Sequence, residues 1–149
     1  MRPTRYLTHW PRAPERVGDQ LRLGGPLESL SRRVLTWLRA EAGRVLAAET
    51  RALAKRHNIT VEKISVGDPS SRWGSCTASG NIRYSWRLIM APPRVRRATV
   101  AHELAHRIHM DHSPRFHRLV AKLHGADPEP AREWLNDHGS ALYWVGAPG

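Results

Sequence analysis

Cysteine is nearly absent from this 149-residue chain, with Cys76 as the single copy. One thiol excludes an intramolecular disulfide and any zinc module built from cysteines. Long apolar runs are missing too. Nothing approaches the roughly 18 residues that a membrane-spanning helix requires, and the first twenty residues lack the apolar segment of a secretory leader. The simplest expectation is a cytoplasmic protein with no membrane contact. Acidic residues are scarce: 13 Asp and Glu stand against 24 Lys and Arg, a formal charge of +11. Residues 1–60 hold 12 basic and 5 acidic side chains, and residues 61–149 hold 12 and 8, so the excess leans toward the N-terminal part. Such a field attracts polyanions, nucleic acid or nucleotides, through their phosphates. It is equally what an arginine-rich chain with ordinary solvated faces carries, so charge alone names no partner.

The length suits one domain with a single core. Residues 1–26 are rich in Arg and Pro, without sustained periodicity, and read as an extended or poorly ordered arm; residues 27–149 read as the folded domain. From Ser29, a plausible N-cap, Leu30, Val34, Leu38, Ala42, Val45, Leu46 and Leu53 recur at helical spacing and predict a long helix over 29–57, closed by Asn58. Thr60–Val66 alternates as a half-buried strand does. Residues 72–76 and 81–86 flank Ala78-Ser79-Gly80 and predict a hairpin. Pro92-Pro93 opens a helix over 92–109, with Val100, Leu104 and Ile108 on its core side. Ser113-Pro114 starts another, with Phe116, Leu119, Val120 and Leu123 buried. A loop over 125–130, a short helix over 131–137 and an apolar tail, Leu142–Val145, that packs on the core complete an α+β chain.

The helix over 92–109 carries His102-Glu103-Leu104-Ala105-His106. Histidines four residues apart project from one helix face, where both imidazoles can reach one ion. The glutamate between them can reach a metal-activated water without being a ligand. H-E-x-x-H is thus a pattern of two ligands plus a general base. A catalytic zinc site takes a third protein ligand and keeps one position open. Five of the nine histidines fall between 102 and 117. His109 shares the face of His102 but lies seven residues on, a rise of about 10.5 Å along a straight helix. His112 is better placed, because the Ser-Pro restart implies a turn just before it. Glu129, Glu133 and His117 remain as alternatives. Asp111 and Asp127 are acids of the kind that orient metal-bound imidazoles, though neither can be assigned.

Four segments together resemble the YgjP-like minimal metallopeptidases, relatives of the SprT and WLM zincins. They are Arg72-Trp73-Gly74-Ser75-Cys76, Trp86-Arg87-Leu88-Ile89-Met90-Ala91-Pro92-Pro93, His102-Glu103-Leu104-Ala105-His106 and His112-Ser113-Pro114-Arg115-Phe116. The resemblance spans about residues 30–140 and implies a compact zincin-like core, with zinc (Zn2+) on His102, His106 and His112 and a catalytic Glu103. Family members commonly carry a longer β-rich region ahead of the first core helix, where this chain has its Arg/Pro-rich arm. A nucleotide pyrophosphatase activity is attached to some relatives.

The expected reaction is hydrolysis of a peptide or protein substrate. Tyr84, Arg72 and Arg87 are candidate donors to the developing negative charge, because the hairpin leads into the active-site helix. Trp73 and Trp86 read as core or cross-strand residues, and Cys76 as a buried packing residue. The strand before the helix could accept an extended peptide by strand addition. Two rival functions differ in class. One is hydrolysis of a nucleotide phosphoanhydride, although no glycine-rich phosphate loop is present. The other is a DNA-associated protein that processes protein–DNA complexes, with Tyr6 and Trp10 of the arm available for stacking. Oligomeric state is not legible.

Overall fold

The computed structural model describes residues 14–145 and has an α+β architecture. The chain forms two compact units, Met1–Leu38 and Arg39–Gly149, and the division falls inside the first long helix. In the first unit, β1 (Glu15–Val17) and β2 (Gln20–Arg22) pair antiparallel around Gly18-Asp19. The segment expected to be an irregular arm therefore contains a β-ribbon. Strands this short carry no periodic signal, and only the positive φ of Gly18, 61°, marks the turn. Tyr6 and Trp10 lie outside the described residues.

Helix α1 (Leu30–Arg56) matches the expected span. Ser29 does not cap it as expected: it belongs to a 3-10 turn, Leu27–Ser29, where its hydroxyl donates to the Pro26 carbonyl and accepts from Arg33 Nε. At the other end Asn58 takes a left-handed φ of 55°, and the Ile59 amide bonds the Ala54 carbonyl at 2.8 Å. The buried stripe is Ala42, Leu46, Thr50 and Ala54, four residues apart throughout.

A three-stranded sheet packs in the second unit in the order β3-β5-β4. Strand β3 (Lys63–Gly67) starts later than the alternation suggested and runs parallel to β5 (Asn81–Ser85). Strand β4 (Gly74–Cys76) forms the expected hairpin with β5 and occupies a sheet edge. Alternation along β5 turns Ile82 and Tyr84 inward, and the Tyr84 hydroxyl meets Thr50 Oγ1 of α1 at 2.9 Å. A 3-10 segment, Trp86–Met90, then delivers the chain to α2 (Pro93–Ala105).

Helix α2 is shorter than expected. His106 caps it, and the amides of Arg107 and Ile108 bond back to the Leu104 and Ala105 carbonyls. Ile108, expected on the core side, is 56% exposed because the helix has already ended. Helix α3 (Pro114–His124) begins as its sequence requires, with Ser113 Oγ accepting from the Phe116 amide and Pro114 at the first position. It ends at Gly125, whose φ of 81° an L side chain would resist. Helix α4 (Glu129–Tyr143) is twice the expected length. It runs through Gly139, where a Cβ would come within 2.7 Å of Trp73, so the bare backbone lets the helix pack against that ring. Trp144, expected in the core, is 70% exposed. Leu142 does pack on the core, against the Ala91, Val95, Ala98 and Ala131 cluster. The tail is also held by its backbone: the Leu142 and Val145 carbonyls accept from the buried Arg87, which also pairs with Asp68.

One ion pair ties α1 to the helix that carries the histidines. Arg96 of α2 donates to both carboxylate oxygens of Glu49, with Nη2 to Oε1 at 2.6 Å. Arg96 is only 9% exposed, so removing Glu49 strands a largely desolvated guanidinium. Glu49→Ala is expected to destabilise the protein by roughly 2–4 kcal/mol. Replacing both partners with Gln and Met should recover part of that loss in urea unfolding.

Candidate metal centre

Helix geometry puts His102 and His106 one turn apart on α2, and the turn after Ala105 brings the chain back toward them. His112, just ahead of α3, closes the group. The ring centroids lie 5.0 Å apart for His102 and His106, 5.5 Å for His102 and His112, and 4.9 Å for His106 and His112. One nitrogen from each ring falls within 4.8 Å of the other two. Among the described residues this is the one cluster of three or more side chains able to hold a metal ion. Its donors are imidazoles alone, a set that suits zinc among common divalent ions. His102 is held neutral: burial, then the neighbouring His106 and His112, lower its pKa to about 4. A neutral imidazole is the form that ligates.

Two features around the histidines have no counterpart in a motif. His106 Nδ1 sits 3.0 Å from the His109 carbonyl oxygen. Because a carbonyl only accepts, Nδ1 carries the proton and Nε2 is free as a donor to metal. The acids considered for such a role bond backbone amides instead: Asp111 accepts from the Ser113 amide and Asp127 from the Glu129 amide. The second feature is Phe116. Its fully buried ring stacks on His106 at 4.4 Å and meets His102 and His112 edge-on at 4.9 and 5.1 Å. Helical spacing identifies Phe116 as a core residue; only the fold reveals that its neighbours are the three histidines. The remaining alternatives do not join them. Glu129 and Glu133 are exposed on α4, His109 offers its backbone, and the His117 ring lies 6.4 Å from His112.

Glu103 is 4% exposed and lines the same cavity as His102, His106 and His112. Burial raises its pKa to about 7, against the lowering field of Arg72. Gly74 of β4 makes the approach possible, since a Cβ there would stand 2.8 Å from Glu103 Oε2. The donors considered from the hairpin separate cleanly. Tyr84 is fully buried, bonded to Thr50, and lines neither cavity beside Glu103, so the alternation of β5 makes it a core residue. Arg87 is committed to Asp68 and the C-terminal carbonyls. Arg72 is exposed and lines both cavities that contain Glu103. Cys76, expected to be buried packing, is half-buried on the wall of the cavity with His106 and His112. Burial raises its pKa, so it remains a thiol.

A three-imidazole cluster with a buried carboxylate at its edge is the equipment of a metal-dependent hydrolase. The chain belongs to the YgjP-like metallopeptidase domain family, whose model matches residues 8–138. That span takes in the β1–β2 ribbon as well as all the site residues. No curated protein and no solved structure matches the chain.

Phe116→Leu keeps an apolar core residue but removes the ring against the imidazoles, and metal affinity is expected to fall about 10-fold or more in competition with a chelator. The buried carboxylate also predicts a pH signature in metal-free protein. With a folded pKa of about 7 against an ordinary 4.5, Glu103 binds more protons folded than unfolded. Its contribution to stability therefore declines as pH rises through that window. His102 works in the opposite sense, adding stability as pH rises from about 4 to 6.5. Glu103→Gln removes only the first effect. Its stability relative to wild type should improve by roughly 2–4 kcal/mol between pH 4.5 and 8, read from denaturant midpoints.

Proposed function

We propose that this protein is a zinc metallopeptidase of the H-E-x-x-H type, with His102, His106 and His112 as ligands and Glu103 as general base. The observation that carries the reading is the convergence of three imidazoles, each with a nitrogen within 4.8 Å of the other two, beside a buried carboxylate whose pKa is raised to about 7. Zinc, when bound, would polarise the attacking water and the scissile carbonyl. Glu103 takes the proton of that water on a carboxylate oxygen and returns it to the leaving amine nitrogen, base first and acid second. A pKa near the working pH suits both halves of that exchange.

Arg72 is the side chain we assign to the negative charge that develops on the carbonyl oxygen, in place of Tyr84. It is exposed, cationic and on the cavity wall beside Glu103. The edge strand β4 supplies the rest of the peptide site. Its Gly74, Ser75 and Cys76 line the cavity with Glu103, and an edge strand has backbone groups free to pair with an extended chain. A peptide or protein substrate follows from that pairing. The nucleotide reading has only the basic charge and the activity attached to some relatives in its favour, and the residues suggested for DNA stacking lie outside the described residues. No helix among the described residues is long and apolar enough to cross a membrane. A single free cysteine fits a reducing compartment, so we place the activity in the cytoplasm.

Zinc-loaded wild type should cleave an unstructured protein such as casein, and Glu103→Gln should lose at least about 100-fold of that rate while retaining zinc. Activity that survives in Glu103→Gln would sink the mechanism. Full zinc affinity in His112→Ala would remove that residue from the ligand set.

A further inference from the structure

A second cavity, of about 260 Å³, opens beside Glu103 and His102. It runs between α2, α3 and α4. Its walls are apolar and buried: Val95 and Ala98 from α2, Val120 from α3, Ala131 from α4. Trp73 and Leu135 add half-buried apolar surface. The volume lies below the roughly 300–1,000 Å³ of small-molecule sites, so it suits one side chain rather than a whole ligand.

Two guanidinium side chains, Arg72 and Arg132, line this cavity, and Glu103 is the single acid that does. Arg132 projects from α4 close enough to His102 to lower the basicity of that ring. Its own partner is weak: Glu129 lies 3.6 Å away, one helical turn back, and both side chains are about half exposed. A pair of this kind contributes little and exchanges readily for a better-placed carboxylate.

We propose that this chamber is the specificity pocket for the substrate residue beside the scissile bond, and that it selects a carboxylate carried on an apolar stem, with Arg132 as the specificity residue. Two sources supply that chemistry: an acidic side chain within a peptide, or the free carboxylate of a C-terminal residue. Burying the stem between Val95, Val120 and Ala131 supplies affinity, and the guanidinium at the rim supplies the choice. The proposal rests on the metallopeptidase reading, but the pocket can be tested apart from turnover.

The experiment uses zinc-loaded wild type, Arg132→Ala and Arg132→Glu, each checked for zinc content and thermal unfolding. Acetylated, amidated Ala-X-Ala peptides with X as Glu, Gln or Lys are titrated, and binding is read from backbone amide shifts at Val120 and Ala131. Wild type should bind the Glu peptide at least fivefold tighter than the Gln peptide. Arg132→Ala should erase that ratio, and Arg132→Glu should turn it toward Lys. Repeating the Gln titration with a free C-terminus identifies the second source if its gain also disappears in Arg132→Ala. A preference for Glu that survives Arg132→Glu would mean that the carboxylate is held elsewhere, by Arg72 or by the metal, and would overturn the proposal. Equal binding of Glu and Gln peptides by wild type, in both C-terminal forms, would overturn it as well. Arg132-dependent selection without any cleavage would instead leave the pocket standing and remove the peptidase reading.

Discussion

Helix α2 ends at Ala105, and the turn that follows is what the site is built on. Had the helix continued to residue 109, as its apolar spacing invites, the chain would have carried His112 away from His106 along the axis, at 1.5 Å for each added residue. Instead the amides of Arg107, Ile108 and His109 bond to the Leu104 and Ala105 carbonyls. The Arg107 guanidinium fastens the turn to the Thr60 and Ala78 carbonyls at 2.7 and 2.8 Å. The chain reverses, His112 comes back over the face of α2, and the His109 carbonyl meets His106 Nδ1. One interruption thereby brings the third imidazole to the cluster and supplies the carbonyl that orients His106.

Packing holds that arrangement. Phe116 enters one turn into α3, under the Ser113 cap, and its ring fills the space beneath all three imidazoles. Imidazoles standing on a buried aromatic lose rotamer freedom before any metal arrives, which lowers the cost of assembling the site. The same ring is part of the hydrophobic core, so the stability of α3 and the geometry of the histidines are coupled. Glu103 depends on a complementary absence. The missing side chain at Gly74 lets β4 lie against the carboxylate, and the burial that results raises its pKa.

Much of this was legible in residue spacing. The i, i+4 pair of histidines, the Ser-Pro start of α3 and the hairpin ahead of α2 are local signals, each governed by backbone geometry over a few residues. The β1–β2 ribbon was not legible, because three-residue strands have no period to detect. Nor was the length of α4, because its second half is exposed apart from Gly139 and Leu142 and carries no apolar stripe to read. Tyr84 shows the same limit in the site itself. Its sequence position beside the active-site helix suggested chemistry, but the pleat of β5 points it toward Thr50 in the core, and it lines neither cavity beside Glu103.

The amino-acid sequence by itself determined which side chains could do chemistry here, because helical periodicity sets the pair and a proline restart sets the turn. Tertiary structure alone decided which neighbours those side chains have. Arg72 rather than Tyr84 faces the cavity, the His109 backbone rather than an aspartate orients His106, and Arg132 from the last helix reaches a pocket opened by the second. Such contacts join residues tens of positions apart, where no local spacing rule operates and only packing can bring them together.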